Sequence, residues 1–304
     1  MYKVFVDGGA GTTGLEIVDR LKNRKDLKVF VLPEESRKDD SARREALNGC
    51  DLAVLCLPDE AAKSAVSMIE NPLVKVIDAS TAHRTADGWV YGFAEVGFKK
   101  EIEKAKRVAN PGCHASGFIA LVKPLIDCGL IRPTEALSCF SITGYTGGGK
   151  KMIAEYEGEK PALYEAPRQY ATAQSHKHLP EMKKVCGLEI EPIFCPVVSD
   201  FPRGMQVTVP LFSGRLNGSV EDIKDCYKQL YCGKVVSYKD IEGNAFLSAC
   251  ELKNRDSMTV SVCGNEDRIL LVATFDNLGK GASGAAIQNM NIMLGFDETE
   301  GLNL

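Results

Sequence analysis

Short apolar runs and amphipathic stretches alternate along the first third of the chain. Tyr2–Val6 is a brief apolar run that reads as a strand, and Thr12–Asn23 follows with Leu15, Val18 and Leu21 at helical spacing. Leu27–Leu32 reads as a second strand and Ser41–Leu47 as a short helix opened by Ser41 as its N-cap. Asp51–Leu57 is almost continuously apolar, the pattern of a strand buried on both faces. Asp59–Glu70 is helical and Leu73–Ala79 is strand-like again. This β-α-β-α order predicts a Rossmann-type parallel sheet covered by helices, with a binding crevice at the C-terminal ends of its strands.

The pattern changes after about residue 133. Glu135–Tyr145, Ile190–Ser199, Met205–Phe212, Ser257–Val262 and Arg268–Phe275 are strand-like, with fewer helices between them. That distribution predicts an α+β domain on a largely antiparallel sheet. Gly281–Leu294 returns to a helical pattern, and the small residues at its start permit close approach of a backbone or a ligand. The expected division is a dinucleotide-binding domain over 1–112 and 281–304 and a substrate domain over 113–280. No repeat or flexible linker interrupts the chain.

Composition narrows the class. A length of 304 residues is near the limit of one core, which agrees with two domains. A net charge of −4 provides no basic footprint, so neither nucleic acid nor an anionic membrane is an expected partner. The apolar runs Leu52–Leu57 and Ile269–Phe275 fall well short of the ~18 residues of a membrane span. The N-terminus enters a strand directly without a signal-peptide pattern, and a soluble, cytoplasmic protein is expected. Eleven cysteines, without a Cys-x-x-Cys pair, read as reduced thiols, most of them small core hydrophobes.

Four motifs carry candidate chemistry. Gly8, Gly11 and Gly14, with Thr12 and Thr13, form a Gly-x-x-Gly-x-x-Gly turn between the first strand and its helix. A tight turn that brings phosphate to a helix N-terminus is what a dinucleotide requires. After the second strand, Glu34 or Glu35 suits a ribose 2′-hydroxyl, whereas Ser36, Arg37 and Lys38 suit a 2′-phosphate; the balance favours NADP. Cys113 follows the Asn110-Pro111-Gly112 turn at the start of an apolar helix, Ser116–Ile126, where a thiolate is stabilised for nucleophilic attack. His176 and His178 are two residues apart, and in an extended segment both would face one side as proton donor and acceptor. They lack a local third ligand, so no metal site is expected. Arg84, beyond a parallel strand, and Arg203 are candidate anion-binding side chains, and Asn277–Gly284, including Gly279 and Lys280, is a glycine-rich loop suited to one wall of a cofactor cleft.

The Asn110-Pro111-Gly112-Cys113 stretch, His176-x-His178-x-Pro180-Glu181 and Gly279-Lys280-Gly281-Ala282-Ser283-Gly284 together resemble the phosphorylating semialdehyde dehydrogenases, over nearly the whole chain. Within that family the segment order resembles the shorter, bacterial form of the branch that reduces N-acetyl-γ-glutamyl phosphate in arginine biosynthesis. The resemblance implies an NADPH-dependent oxidoreductase in which Cys113 forms a thioester with the acyl phosphate. His178 or His176 would then be the acid/base. It also implies substrate contacts from Arg84, Asn110, Glu181 and Arg203, and a homo-oligomer, often a tetramer. Where the longer family form reads Ser-Ala-Asp-Phe-Arg, this chain has Ser80-Thr81-Ala82-His83-Arg84, so Arg84 stands in altered surroundings.

Overall fold

A computed structural model describes residues 1–243 and 245–304 and divides them into two compact units. The first comprises Met1–Pro111 with Ala282–Leu302. In it, β1 (Tyr2–Asp7), α1 (Thr12–Leu21), β2 (Leu27–Phe30), α2 (Asp40–Asn48), β3 (Leu52–Leu55), α3 (Asp59–Ser67), β4 (Lys75–Asp78), β5 (Val90–Tyr91), α4 (Lys99–Lys104) and β6 (Arg107–Ala109) follow in order. The sheet runs β2-β1-β3-β4-β6-β5, with every neighbouring pair parallel.

Alternation along the strands accounts for the two-sided cover. Val4, Val6, Leu52 and Val54 join a core with Ile17 and Leu21 of α1, while Phe5, Ala53 and Leu55 point the other way onto Leu47, Ala62 and Ala65 of α2 and α3. The N-cap of α2 is Asp39, whose carboxylate accepts the Ala42 N–H at 2.7 Å, and Ser41 lies inside the helix. Both side chains can cap, but the carboxylate also suits the positive end of the helix.

The second unit comprises Gly112–Gly281 with Asn303–Leu304. Its elements are α5 (Cys113–Asp127), β7 (Ser138–Gly144), α6 (Gly149–Glu157), β8 (Arg168–Gln169), α7 (Leu179–Cys186), β9 (Ile193–Ser199), β10 (Met205–Phe212), α8 (Val220–Leu230), β11 (Val236–Tyr238), β12 (Met258–Gly264) and β13 (Arg268–Phe275). The sheet order is β11-β12-β13-β10-β7-β9-β8, with β11–β12 and β7–β9 parallel and the remaining pairs antiparallel. One sheet face carries Cys139, Val207, Val209, Leu271 and Ala273, all buried. The opposite face leaves Phe140, Ile142, Ile193 and Leu270 exposed, with Phe212 at 66%. The final helix, α9 (Gly284–Leu294), returns to the first unit after a π-helical turn over Gly279–Ser283, so the regular helix starts three residues later than Gly281. None of the described helices is long and apolar enough to cross a membrane.

Helix α5 is buried along most of its length although it contains Pro124. Proline has no N–H, so the Ala120 carbonyl one turn back loses its helical donor. The buried Tyr231 hydroxyl replaces that donor at 2.6 Å, and Tyr227 donates to the adjacent Leu121 carbonyl. Tyr231→Phe is therefore expected to lower the unfolding free energy by about 1–3 kcal/mol. Adding Pro124→Ala to Tyr231→Phe should recover part of the loss, because residue 124 then supplies an N–H; urea unfolding of the single and double variants checks both effects.

Candidate active site

In the first unit the glycine turn is built by contact rather than by flexibility alone. Gly8 has φ of +82°, and a Cβ there would lie 2.2 Å from the Cys56 carbonyl oxygen. A Cβ at Gly14 would lie 2.5 Å from the Gly8 oxygen, so the helix start packs directly on the turn. Gly11 is the N-cap of α1 and offers no side-chain acceptor, and the first turn, with Thr12 and Thr13, contains no acidic residue. Its N–H groups are thus open to an anion, and the residues present fit a dinucleotide phosphate. At the end of β1, Asp7 is buried and accepts Arg43 Nε and Nη2 at 3.2 and 2.8 Å. Past β2, a turn over residues 33–37 exposes Glu34, Arg37 and Lys38, with Ser36 half-buried and Arg37 paired to Glu34 at 2.7 Å.

Arg84 and Asn110 also lie in this unit, and they meet. Arg84 Nε donates to the Asn110 carbonyl at 3.0 Å and Nη2 donates to the Ala79 carbonyl at 3.3 Å. The Asn110 side chain is buried, donating to the Ala282 carbonyl and accepting from Asn289. Its amide is thereby used within the fold. His83, one of three residues here that depart from the longer family form, stacks on Trp89 at 4.1 Å and holds the buried Asp78 carboxylate at 2.6 Å.

In the second unit Cys113 is the first residue of α5, its N-cap Gly112 again lacking a capping side chain. The Glu181 carboxylate, in the first turn of α7 and only 1% exposed, accepts the Gly112 N–H at 3.2 Å. Its other oxygen lies 3.8 Å from His178 Nε2. Glu181 therefore braces both the residue before the thiol and an imidazole. His176 and His178 do come together, with ring centroids 4.6 Å apart, but through a turn rather than an extended segment. His178 is the N-cap residue of α7, and its backbone N–H donates to His176 Nδ1 at 3.2 Å.

A third histidine completes the cluster, and it is one that motif reasoning passes over. His114 is buried, with its ring 5.8 Å from His176 and 5.5 Å from His178. Its nitrogens lie 2.6 Å from Ser141 Oγ and 2.6 Å from the Tyr170 hydroxyl. Burial, reinforced by His176 and Lys177, pushes its pKa down to about 3, so the ring is neutral. The available signal was modest: four histidines in the chain, one adjoining the candidate nucleophile.

Other expected contacts are committed elsewhere. Arg203 grips the fully buried Asp276 carboxylate through Nε at 2.9 Å and Nη2 at 3.0 Å. Lys280 is buried, and a Cβ at Gly279 would meet the Arg255 carbonyl at 2.0 Å, so Gly279 serves close backbone packing. At Gly281 an added Cβ would lie 3.0 Å from Cys113 Cβ, so this loop runs directly past the thiol.

Residues 3–105 match a family model described as semialdehyde dehydrogenase, NAD binding domain, and residues 113–277 match semialdehyde dehydrogenase, dimerisation domain. N-acetyl-gamma-glutamyl-phosphate reductase 2 of Nostoc sp. is 44% identical over 99% of both chains. The N-acetyl-gamma-glutamyl-phosphate reductase of Brucella ovis is 45% identical over 96% of this chain and 99% of its own. In fold, the chain resembles aspartate semialdehyde dehydrogenase II of Vibrio cholerae, with a TM-score of 0.74, 17% identity and coverage of 97% and 98%. The corresponding Francisella tularensis structure gives a TM-score of 0.73 at 14% identity, over 97% of this chain and 100% of its own.

The brace at Glu181 is directly testable. Glu181→Ala leaves the Gly112 N–H without its acceptor, and unfolding free energy should fall by about 1–3 kcal/mol. Glu181→Gln retains an acceptor oxygen and should lose less, as read in denaturant titrations of the three proteins.

Proposed function

Since the chain belongs to the semialdehyde dehydrogenase family, we propose that it reduces N-acetyl-γ-glutamyl phosphate to N-acetyl-L-glutamate 5-semialdehyde and phosphate with NADPH, a step of arginine biosynthesis. The observation that carries this reading is Cys113 at the open N-terminus of α5, with Glu181 holding Gly112 on one side and His178 on the other. The substrate itself is suggested by the relatives at 44–45% identity.

The residues of the second unit can perform the chemistry in sequence. The Cys113 thiolate, favoured at a helix N-terminus, attacks the acyl carbonyl, and the C–O bond to phosphate breaks to leave a thioester. The first N–H groups of α5 have no intrahelical acceptor, and they face the negative charge that develops on the carbonyl oxygen. When bound, the reduced dinucleotide would supply the hydride needed at the thioester carbon. Collapse of the resulting thiohemiacetal breaks the C–S bond, releases the aldehyde and regenerates the thiolate, while an imidazole of the His176–His178 pair manages the proton. Arg84 and Arg203 remain the guanidiniums suited to substrate carboxylate or phosphate.

In the first unit the Gly8–Gly14 turn and α1 would take the cofactor pyrophosphate. Ser36 and Arg37 would take the 2′-phosphate, which would replace Glu34 as the partner of Arg37. Eleven free thiols accord with a reducing cytoplasm. The exposed apolar sheet face, with Phe140, Ile142, Ile193, Phe212 and Leu270, is assigned to subunit association, in keeping with the dimerisation domain matched there. A tetramer would need a second surface besides this one.

Phosphate-dependent reduction of NADP⁺ by N-acetylglutamate semialdehyde is the deciding assay. Activity is expected with that aldehyde and NADP⁺ in preference to NAD⁺, and Cys113→Ser should lower kcat by about 10³-fold or more. Turnover confined to aspartate semialdehyde would overturn the substrate assignment, and full activity of Cys113→Ser would overturn the nucleophile. Replacing both Phe140 and Phe212 by Glu should shift the assembly toward monomer in light scattering; an unchanged mass would remove the sheet face from the interface.

A further inference from the structure

We propose that Tyr170 donates a hydrogen bond to the oxygen of the acyl group attacked by Cys113, aimed by a buried Ser141–His114 relay. The inference rests on Cys113 being the nucleophile, but it concerns residues outside the Cys113–His176–His178–Glu181 set.

The argument is one of hydrogen accounting. Ser141 lies in β7, is fully buried, and its hydroxyl makes a single hydrogen bond among the described residues, to His114 Nδ1 at 2.6 Å. A hydroxyl can accept as well as donate, but its own hydrogen needs an acceptor when no water reaches it. His114 Nδ1 is the acceptor present. The imidazole is neutral, so an accepting Nδ1 requires the hydrogen to be on Nε2. Nε2–H then donates to the Tyr170 oxygen 2.6 Å away. With that lone pair occupied by His114, the phenolic hydrogen must point away from the ring. The reverse direction, Tyr170 donating to Nε2 and Nδ1–H donating to Ser141, would leave the buried serine hydrogen without an acceptor.

The ring cannot readily change this assignment. Phe194 and Tyr170 meet it edge to face at 5.3 and 6.1 Å, and His176 and His178 close the remaining sides. Tyr170 is held next to the reactive residue through His114, which directly follows Cys113 and whose Nε2 lies 2.6 Å from the phenol oxygen. Burial, reinforced by charge on Cys113, raises the tyrosine pKa and keeps it a donor throughout the neutral range. A neutral, outward-pointing O–H beside a nucleophilic sulfur meets the carbonyl oxygen as it becomes negative.

Tyr170→Phe, Ser141→Ala and the double variant test this in the intact enzyme, with kcat/KM for N-acetylglutamate semialdehyde, iodoacetamide alkylation of Cys113 and the thermal midpoint as readouts. Tyr170→Phe should lose about tenfold or more in kcat/KM, as for a hydrogen bond to a charged oxygen. Its Cys113 alkylation rate should stay near the parent value, while its thermal midpoint should fall by no more than the loss of one buried hydrogen-bond partner of His114 costs, as in Ser141→Ala. Ser141→Ala, which frees the His114 tautomer, should lose less, and the double variant should fall no further than Tyr170→Phe. A Tyr170→Phe enzyme within about twofold of the parent would overturn the proposal. So would a double variant whose loss is the product of the two single losses, or a parallel drop in Cys113 alkylation, which would place the tyrosine on the thiol instead. Failure of the underlying reading would look different, as retained activity in Cys113→Ser.

Discussion

A single buried carboxylate organises the reactive end of the second unit. Glu181 ties the first turn of α7 to Gly112, the residue that precedes Cys113, and also faces His178. Such a group is costly to bury unless its oxygens are occupied, so its presence constrains the backbone as strongly as it stabilises it. The α5 N-terminus cannot shift relative to α7 without breaking the hydrogen bond from the Gly112 N–H to that carboxylate. The thiol is placed by that constraint, since Cys113 is the next residue along.

The other side of Cys113 is held in the same manner by a second carboxylate. Asp276 is fully buried and accepts from Arg203, from the Asn254 backbone N–H at 2.7 Å, and from the Leu278 and Gly279 N–H groups at 2.8 and 2.9 Å. Its backbone carbonyl accepts the Gly281 N–H at 3.0 Å. The result is a pinned π-helical turn that carries Gly281 past the thiol without room for a side chain. Two acidic residues distant in sequence thus fix the two chain segments between which Cys113 sits. Preorganisation of this kind lets a site hold charge without rearranging during reaction.

The limits of sequence reading follow the same division between local and tertiary causes. The parallel first sheet and the strands Met205–Phe212 and Arg268–Phe275 were legible because strand periodicity and β-α-β order are local signals. The helix-capping role assigned to Ser41 belongs to Asp39, a choice between capping residues two positions apart that depends on where the chain turns after β2. Arg203 reads as an anion-binding side chain, but the anion nearest it is Asp276, 73 positions away. His114 was overlooked for a similar reason. Its partners Ser141 and Tyr170 lie 27 and 56 residues downstream, and the local pattern offers only its place beside Cys113 to set it apart from another residue on a buried helix.

Eleven copies of one side chain show how position alone separates chemistry from packing. Burial pushes the Cys50 thiol up to about 11 and Cys56 up to about 12. Cys139 and Cys186 are driven higher for the same reason, and Cys226 rises to about 12 through burial and its neighbour Cys128. Desolvation penalises the thiolate at each of these places, so they stay protonated and unreactive at neutral pH. Cys113 is partly exposed and stands at the positive, N-terminal end of a fifteen-residue helix, among its first N–H dipoles. Those dipoles favour the charged sulfur that the interior disfavours elsewhere. A chain can therefore hold cysteines such as Cys50, Cys139 and Cys186 as core filler without making them competing nucleophiles, while the thiol that begins a helix is the one placed to react.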